Sequence, residues 1–462
     1  MSFTRRTFLL GAGSGLSLLA LAACTDETVA PTPTPSPTIA GEVPNPSSFV
    51  RSNWAADPYS RGATSYLGVG ASPQARETLR EPLLDRVFLA GEAVSDDPGT
   101  IRGAIDSGAI AARRVLGVMG DDERVAVIGA GAAGAEAARQ LSLRGVDVVL
   151  IEARDRVGGR IDSRSSAGDR AFELGAWQLA DVADDELVTR LDRADVGVLP
   201  LPVSTARVTA PAAEVTELPE PEDARAAVAA TLAAAIDWAR EQPNDMSIAD
   251  AIEQSGRADD LDAEGTLLAQ QLLVEFAALT GAGAEDQGSW FLTQLIGEQA
   301  SVPDGPMSAL IDAALDGIDP VLSTVVVAVF YDDDSVSLRL GTGESLKVDR
   351  VILTAPLGVL KEQAIEFDPV LPLLHRSALD ELTVGHIEVL ALEFDEPFWQ
   401  TDAVLWFLED DDSAVRLWVN MVPITGQSIL LGLMGGGAAL AASELDDDDL
   451  LAAAAESLLA FV

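Results

Sequence analysis

The chain has 462 residues, enough for two or more domains, and its 48% apolar content excludes a disordered protein. The net charge of −44 makes nucleic acid an unsuitable partner, because an acidic surface repels phosphate, whereas cationic small molecules would be attracted. The chain has two histidines and one cysteine, Cys24. This composition excludes internal disulfides and both histidine-rich and cysteine-cluster metal sites, so no metal is expected.

Residues 1–23 are typical of a targeting segment rather than of a folded element. Paired arginines precede Phe8-Leu9 and an apolar run, as in a twin-arginine export signal. Leu21-Ala22-Ala23-Cys24 resembles a lipobox, in which Cys24 becomes the lipidated first residue of a bacterial lipoprotein; a plain signal peptide with an incidental cysteine is the alternative. Residues 24–47 are rich in proline and threonine and predict an extended tether. We therefore expect an exported, extracytoplasmic protein anchored to the membrane by lipid.

Residues 48–120 contain three separate signals. The first is Trp54-Ala-Ala-Asp57-Pro58, with Arg61-Gly62 after it. A predicted strand, Arg86–Ala90, then leads into Gly91-Glu92-Ala93. Finally, Pro98-Gly99-Thr100-Ile101 opens a helix that extends to about Leu116.

A glycine-rich loop occupies the middle of the chain. The apolar run Val125–Ile128 predicts a buried strand, and Gly129, Gly131 and Gly134 follow at G-x-G-x-x-G spacing before a helix over 132–144. Such a loop allows a tight turn, close approach of a pyrophosphate and close packing of the helix, whose free N–H groups attract an anion. A second strand over 147–151 ends in Glu152, where an acidic side chain would meet the ribose hydroxyls of a dinucleotide.

Two further segments extend this predicted dinucleotide domain over residues 121–180. Gly158-Gly159-Arg160 combines glycines that admit a pyrophosphate with a guanidinium fork that can bind it. Phe172–Trp177 follows. Residues 181–320 are mainly helical by pattern, with alanine-rich amphipathic stretches at 223–240 and 266–279 and no recognisable chemistry.

The last part of the chain returns to strands. Residues 321–370 predict strands at 325–331 and 336–340, then Pro356-Leu357-Gly358-Val359-Leu360-Lys361. Residues 371–462 predict strands at 387–394, 404–409, 414–420 and 428–433, which suggests a mixed or antiparallel sheet, and a last helix over 448–461.

Taken together, these segments resemble the flavin amine oxidases, the family of monoamine and polyamine oxidases. The resemblance implies an α/β fold: a Rossmann-like, glutathione-reductase-like FAD-binding domain and a substrate domain with a mixed sheet and helices. In the family, the segments found here at 48–120 stand last. We therefore interpret the chain as circularly permuted, with residues 48–120 completing the FAD domain; exchange of this block between two chains is the alternative.

The resemblance also implies site residues. Some relatives attach flavin through a cysteine where this chain has Ala63, so FAD should be bound non-covalently. Lys361 would hold a water against flavin N5. The residues implied to bind FAD are Gly91, Glu92, Gly99, Thr100, Ile101, Gly129, Gly131, Ala133, Gly134, Glu152, Ala153, Arg154, Gly159, Arg160, Gly175, Ala176, Trp177 and Val326.

The implied reaction is oxidation of an amine, polyamine or amino acid by hydride transfer to flavin N5, with O2 reduced to H2O2. Thr64 and Thr100 stand where monoamine oxidases carry an aromatic sandwich, which weakens a monoamine assignment. Arg102 is a candidate for binding a substrate carboxylate, with a structural salt bridge as the alternative. A flavin dehydrogenase or desaturase with another acceptor, and a flavin-binding envelope protein without turnover, stay open. The oligomeric state is not predicted.

Overall fold

The computed structural model describes residues 43–165, 171–180, 186–202, 205–208, 215–217, 221–292 and 300–462. The predicted signal peptide, Cys24 and most of the predicted tether lie outside these residues.

The strands are short, and most are separated in sequence from at least one of their partners. In chain order they are β1 (Ser48–Arg51), β2 (Thr64–Leu67), β3 (Val87–Leu89), β4 (Arg124–Ile128), β5 (Asp147–Ile151), β6 (Ser163–Ser165), β7 (Ala171–Glu173), β8 (Leu179–Ala180), β9 (Gly197–Pro200), β10 (Thr205–Val208), β11 (Val215–Glu217), β12 (Ala300–Asp304), β13 (Val326–Tyr331), β14 (Val336–Leu340), β15 (Ser345–Val348), β16 (Arg350–Leu353), β17 (Glu366–Asp368), β18 (Leu382–Gly385), β19 (Ile387–Glu393), β20 (Leu405–Leu408), β21 (Leu417–Asn420) and β22 (Ile429–Gly435).

The helices range from one turn to more than five turns. They are α1 (Gln74–Arg80), α2 (Ile101–Val118), α3 (Ala132–Ser142), α4 (Glu186–Arg193), α5 (Pro221–Arg240), α6 (Ile248–Ser255), α7 (Ala263–Thr280), α8 (Ser308–Ala314), α9 (Leu357–Lys361), α10 (Leu373–Glu381), α11 (Val422–Thr425), α12 (Gly437–Glu444) and α13 (Asp447–Leu458). None of the helices in the described ranges combines the length and apolar content that a membrane-spanning helix needs.

A parallel four-stranded sheet in the order β3-β16-β4-β5 forms the centre of the dinucleotide domain. Its strands are apolar and largely buried, as expected for a parallel sheet covered on both faces. Strand β3, from the 48–120 block, and β4, before the glycine-rich loop, lie in this one parallel sheet with β16 between them. Helices α2 and α3 pack closely because α2 has a glycine at the contact: a Cβ on Gly108 would lie 2.1 Å from the Ala133 carbonyl oxygen.

The substrate domain contains a seven-stranded sheet in the order β1-β19-β22-β21-β20-β10-β11. Its pairs are antiparallel except β10 with β20, so the predicted mixed sheet is confirmed. Trp406 and Trp418 are fully buried against it, and α13 closes the core. A separate sheet, β15-β14-β13-β17, holds the strands predicted at 325–340.

The region 181–320 is less purely helical than predicted. Helices α5 and α7 cover the two alanine-rich stretches, but β9 and β12 pair with each other, and β10 and β11 extend the large sheet. These strands are three to five residues long. Such strands are too short to show a clear alternating pattern, and β12 finds its partner about a hundred residues upstream.

The beginning and the end of the described chain are neighbours. Val43 packs in the same apolar core as Phe461, and β1 pairs with β19. The Arg51 guanidinium donates hydrogen bonds to the carbonyls of Ala442 and Leu445 at the end of α12. This proximity is the geometry in which circular permutation is tolerated.

Candidate functional site

A cavity of about 1680 Å³ lies between the parallel sheet and the substrate domain. Its walls come from the 48–120 block, the glycine-rich loop, the start of β13 and the large mixed sheet. Every residue predicted to bind the cofactor lines this cavity except Gly134. Among the described residues, no group of three or more His, Cys, Asp or Glu side chains is arranged to hold a metal ion.

The glycine loop makes a tight turn at the edge of this cavity. Gly129 has φ +99°, a conformation that favours glycine, and its N–H donates to the Ile151 carbonyl at 2.7 Å. Helix α3 begins without a side-chain cap, and Ala132 and Ala133 of its first turn line the cavity. Gly134 lies behind the loop, where a Cβ would be 1.8 Å from the Gly129 oxygen. Gly134 therefore has a packing role, and the uncapped helix end is suited to an anion.

Glu152 is fixed at the end of β5 by two backbone amides. Its carboxylate accepts the Ala130 N–H at 2.7 Å and the Arg154 N–H at 2.8 Å, and the residue is only 4% exposed. Because a carboxylate has about four acceptor positions, the rest can accept from hydroxyl groups in the cavity. This is the arrangement predicted for ribose recognition.

Glu92 is the centre of a buried polar network. Its Oε2 accepts hydrogen bonds from the Ser65 hydroxyl and the Gly99 N–H, and its Oε1 lies 3.2 Å from Arg160 Nη1. Arg160 also donates to the Ala63 carbonyl at 2.7 Å. The same terminal nitrogen of Arg160 therefore binds both Glu92 and Ala63, and these contacts hold the guanidinium at the cavity wall.

Arg154 joins the 48–120 block to the glycine-loop domain. Its Nη2 lies 2.8 Å from both the Asp57 carboxylate and the Ser60 hydroxyl. The Trp54 indole N–H donates to the Leu174 carbonyl. Asp57 and Ser60 were not among the predicted site residues, because nothing in their own segment identifies Arg154, about 95 residues later, as their partner.

The far part of the cavity is mainly aliphatic. Ile387, Leu405, Leu417 and Leu433 of the large sheet line it, together with alanines of α5. Thr64, Thr100 and Arg102 also line the cavity, as predicted. Such a chamber excludes water from a bound substrate.

A sequence model of the flavin-containing amine oxidoreductases matches residues 37–116 and 132–460. The chain belongs to this family. Curated relatives include lysine-specific histone demethylase 2 of Homo sapiens, 26% identical over 61% of this chain and 36% of that protein. Polyamine oxidase 4 of Oryza sativa subsp. japonica is 27% identical over 66% of each chain. The chain thus spans from about a third to two thirds of the length of these relatives.

The fold is also similar to that of putrescine oxidase. A structure of the wild-type enzyme bound to putrescine aligns with a TM-score of 0.58 and 19% identity, covering 73% of this chain and 81% of that one.

FAD is the cofactor of this flavin-containing amine oxidoreductase, and the cavity fits it. The uncapped start of α3, the glycine turn and Glu152 match the pyrophosphate and the ribose. The start of α2 provides further amides near Thr100 and Ile101. Val326 is buried on β13 and lines the same cavity.

The structure does not place Lys361 where its predicted role needs it. Lys361 ends α9, but its side chain does not line the cavity; the Nζ donates to the carbonyls of Leu379, Asp380 and Leu382 at 2.7 to 3.3 Å. These carbonyls stand at and just beyond the end of α10, where helix carbonyls lack partners and attract a cation. Lys361 therefore stabilises the end of α10.

We expect Lys361→Met to destabilise the protein by about 1–2 kcal/mol and to leave the rate of flavin reduction at the wild-type value, because the lost contacts are structural. Urea unfolding and anaerobic reduction measure the two effects. Lys347→Met is the matched control, since Lys347 is exposed on β15 and should lose almost no stability. A flavin reduction rate that fell in Lys361→Met alone would restore the catalytic role.

Glu388, on β19 beside the end of β1, makes the stability of the protein depend on pH. It is 1% exposed and accepts hydrogen bonds from the Ser52 hydroxyl at 2.5 Å and the Ala55 N–H at 3.2 Å. Burial raises the pKa of Glu388 to about 7, against the opposing effect of these hydrogen bonds. The folded protein keeps this proton to a higher pH than the unfolded chain. The stabilisation from this proton is therefore complete below about pH 4.5 and is lost as the pH rises through about 7.

Between pH 5 and pH 8, titration of Glu388 should lower the free energy of unfolding of the wild-type protein by on the order of 2 kcal/mol. Glu388→Gln should lack this loss, so its stability relative to the wild type should be greater at pH 8 than at pH 5. Thermal unfolding across that range measures the slope. Glu381→Gln, which changes an exposed carboxylate, controls for the general charge effect. Identical slopes in Glu388→Gln and wild type would contradict the assignment.

Proposed function

We propose that this protein catalyses the FAD-dependent oxidation of an amine. When bound, FAD supplies the acceptor for the hydride from the amine-bearing carbon and passes the electrons on to O2, which gives H2O2. Water hydrolyses the released imine to an aldehyde or ketone. Membership of the flavin-containing amine oxidoreductases supports this proposal.

One observation carries the proposal: the cofactor cradle and the aliphatic chamber are parts of one cavity. Gly131 and Ala133 at the start of α3 and the Glu152 carboxylate orient the cofactor from one side. The leucines of the large sheet exclude water from the substrate on the other. Exclusion of water also favours the neutral amine, the form that can lose hydride.

A second candidate is a flavin dehydrogenase that uses another electron acceptor. The resemblance favoured an oxidase partly through a lysine beside the flavin. Lys361 is engaged elsewhere and Lys347 is exposed on β15, so no lysine lines the cavity within the described residues. This observation favours the second candidate.

Anaerobic titration of the purified yellow protein with a panel of amines tests both candidates. An amine that bleaches the visible flavin band, followed by H2O2 release when air is admitted, supports the oxidase. Bleaching without oxygen consumption supports the dehydrogenase. Flavin that no amine reduces would overturn both and favour a binding protein without turnover. Acid precipitation should release the flavin into the supernatant, since Ala63 offers no thiol for attachment.

We further propose that the chain is circularly permuted. Support comes from the parallel pairing of β3 with β16, and from the proximity of Val43 to Phe461 in one core. A chain that begins at residue 121, continues to 462 and is then linked to 43–120 should fold and bind FAD with near-wild-type affinity. A reordered chain that stays monomeric but fails to bind FAD would contradict the proposal. FAD binding only by dimers of the natural chain would favour exchange of the block.

Export by the twin-arginine route and lipid attachment at Cys24 are also proposals, supported by the sequence of residues 1–24. Cys24→Ala should move the protein from the membrane fraction to the soluble extracytoplasmic fraction. Equal membrane association of both proteins would contradict the anchor.

A further inference from the structure

An ion pair interrupts the aliphatic part of the cavity. Arg225 of α5 and Glu275 of α7 both line it. The pair is bidentate: Nη1 of Arg225 lies 3.0 Å from Oε1 of Glu275, and Nη2 lies 2.5 Å from Oε2. Gln271 adds a hydrogen bond from its Nε2 to Oε1 at 2.8 Å. The two charged side chains are only 15% and 10% exposed.

The two partners of this pair differ in what they can still bind. Both oxygens of Glu275 already accept a hydrogen bond from Arg225. The guanidinium has five N–H donors, of which the bidentate contact uses two, and no other described residue accepts a hydrogen bond from it. The donors that remain lie on the other edges of a plane that Glu275 holds in position. Contacts among the described residues fill three of the roughly four acceptor positions of Glu275 but only two of the five donors of Arg225, so the site suits an anion better than a cation.

We propose that Arg225 binds a carboxylate of the substrate, so that the oxidised amine is an amino acid with an aliphatic body. This inference rests on the proposed function only in taking the cavity as the substrate site. Glu275 and Gln271 are positioning residues, since they fix the guanidinium plane. A planar fork that is held in advance binds a carboxylate at a lower entropic cost.

The same geometry argues against a diamine. A carboxylate would be the strongest partner for a second ammonium group in the aliphatic chamber, and Glu275 is the one described there. To bind it, the ammonium would have to displace Arg225 and leave a guanidinium unpaired in a poorly solvated wall. The other carboxylates at the cavity, Asp97, Glu92 and Glu152, lie in the cofactor cradle. The net charge of −44 would attract cationic molecules, whereas this part of the cavity offers hydrogen-bond donors to an anion.

Two sets of matched amines test the proposal with the FAD-loaded protein. γ-Aminobutyrate, butylamine and putrescine share a four-carbon chain, and leucine is compared with isopentylamine. At least one of the two amino acids should have a KM roughly 10- to 100-fold lower than the matched amine without a carboxylate, which is butylamine or isopentylamine. This is the effect of one charge-assisted bidentate contact. Arg225→Gln should abolish this ratio. Arg257→Gln, which removes an exposed arginine outside the cavity, should keep it.

A binding measurement separates this inference from the proposed function. Butyrate and isocaproate lack the amine, and their binding is read from the visible spectrum of the bound flavin. Binding that Arg225→Gln weakens at least roughly 10-fold supports the carboxylate site even if no amine is oxidised. Amine oxidation without preference for the carboxylates, or equal binding of both acids by the two proteins, would overturn it. A purely structural ion pair would lower the melting temperature of Arg225→Gln and leave the selectivity ratio unchanged. If Arg225→Gln does not fold, Arg225→Lys, which keeps the charge but not the fork, should lower the ratio.

Discussion

Replacing Glu92 by alanine is expected to destabilise the protein by about 3–5 kcal/mol and to abolish FAD loading. The carboxylate pairs with Arg160 and is linked to the 4%-exposed Arg76 through the Ser65 hydroxyl, which donates to Glu92 and accepts from Arg76. Its removal leaves the Arg160 guanidinium without its carboxylate and breaks the link to Arg76 through Ser65. Glu92→Gln keeps the shape and loses the charge, so it should lose about half as much. Urea unfolding and FAD titration measure the two effects.

Asp96→Asn is the control from the same segment. Asp96 pairs with Arg80 at 2.7 Å, but its side chain is 79% exposed. An exposed ion pair contributes at most about 1 kcal/mol. Similar losses in Glu92→Ala and Asp96→Asn would show that the buried network is not what holds the 48–120 block at the cofactor site.

The parts of the fold that the sequence predicts well are those whose signal is local. Strands β4 and β5 are apolar runs bounded by glycine or acidic residues, and they match the prediction to within a residue. The glycine loop is equally local, because a Cβ on Gly134 would meet the Gly129 oxygen within the loop, and a Cβ on Gly129 would meet Thr354 at the end of the neighbouring β16. The same holds for Glu152, which the loop itself holds through the Ala130 N–H.

The parts that the sequence does not predict depend on distant partners. The motif at 356–361 gives the position of Lys361 in the chain. The direction of its side chain, however, is set by carbonyls that come 18 to 21 residues later. Arg225 and Glu275 are 50 residues apart on two alanine-rich helices, and nothing in either stretch indicates that the two face one cavity. Helical periodicity gives a face for each helix but not what that face meets.

Gly134→Ala and Gly131→Ala should fail in different ways, although both change the same loop. A Cβ on Gly134 would lie 1.8 Å from the Gly129 oxygen, so α3 must move away from the loop. We expect a loss of about 3 kcal/mol or more in the stability of the flavin-free protein, seen in its urea unfolding. Gly117→Ala is the control: it is an exposed position of α2 where a Cβ meets nothing within 4 Å.

Gly131→Ala should instead fold normally and bind FAD poorly. Gly131 has φ −79°, which any residue adopts, and the nearest atom to its Cβ would be 3.7 Å away. The flavin-free protein should therefore keep its stability to within about 0.5 kcal/mol. Because Gly131 lines the cavity at the start of α3, the added methyl group would stand where the pyrophosphate approaches the backbone, and FAD affinity should fall at least roughly 10-fold. Fluorescence titration with FAD measures this. Wild-type affinity in Gly131→Ala would mean that the cofactor does not lie against this loop. Loss of stability in Gly134→Ala together with loss of FAD affinity in Gly131→Ala would show that one glycine of the motif serves packing and the other serves binding.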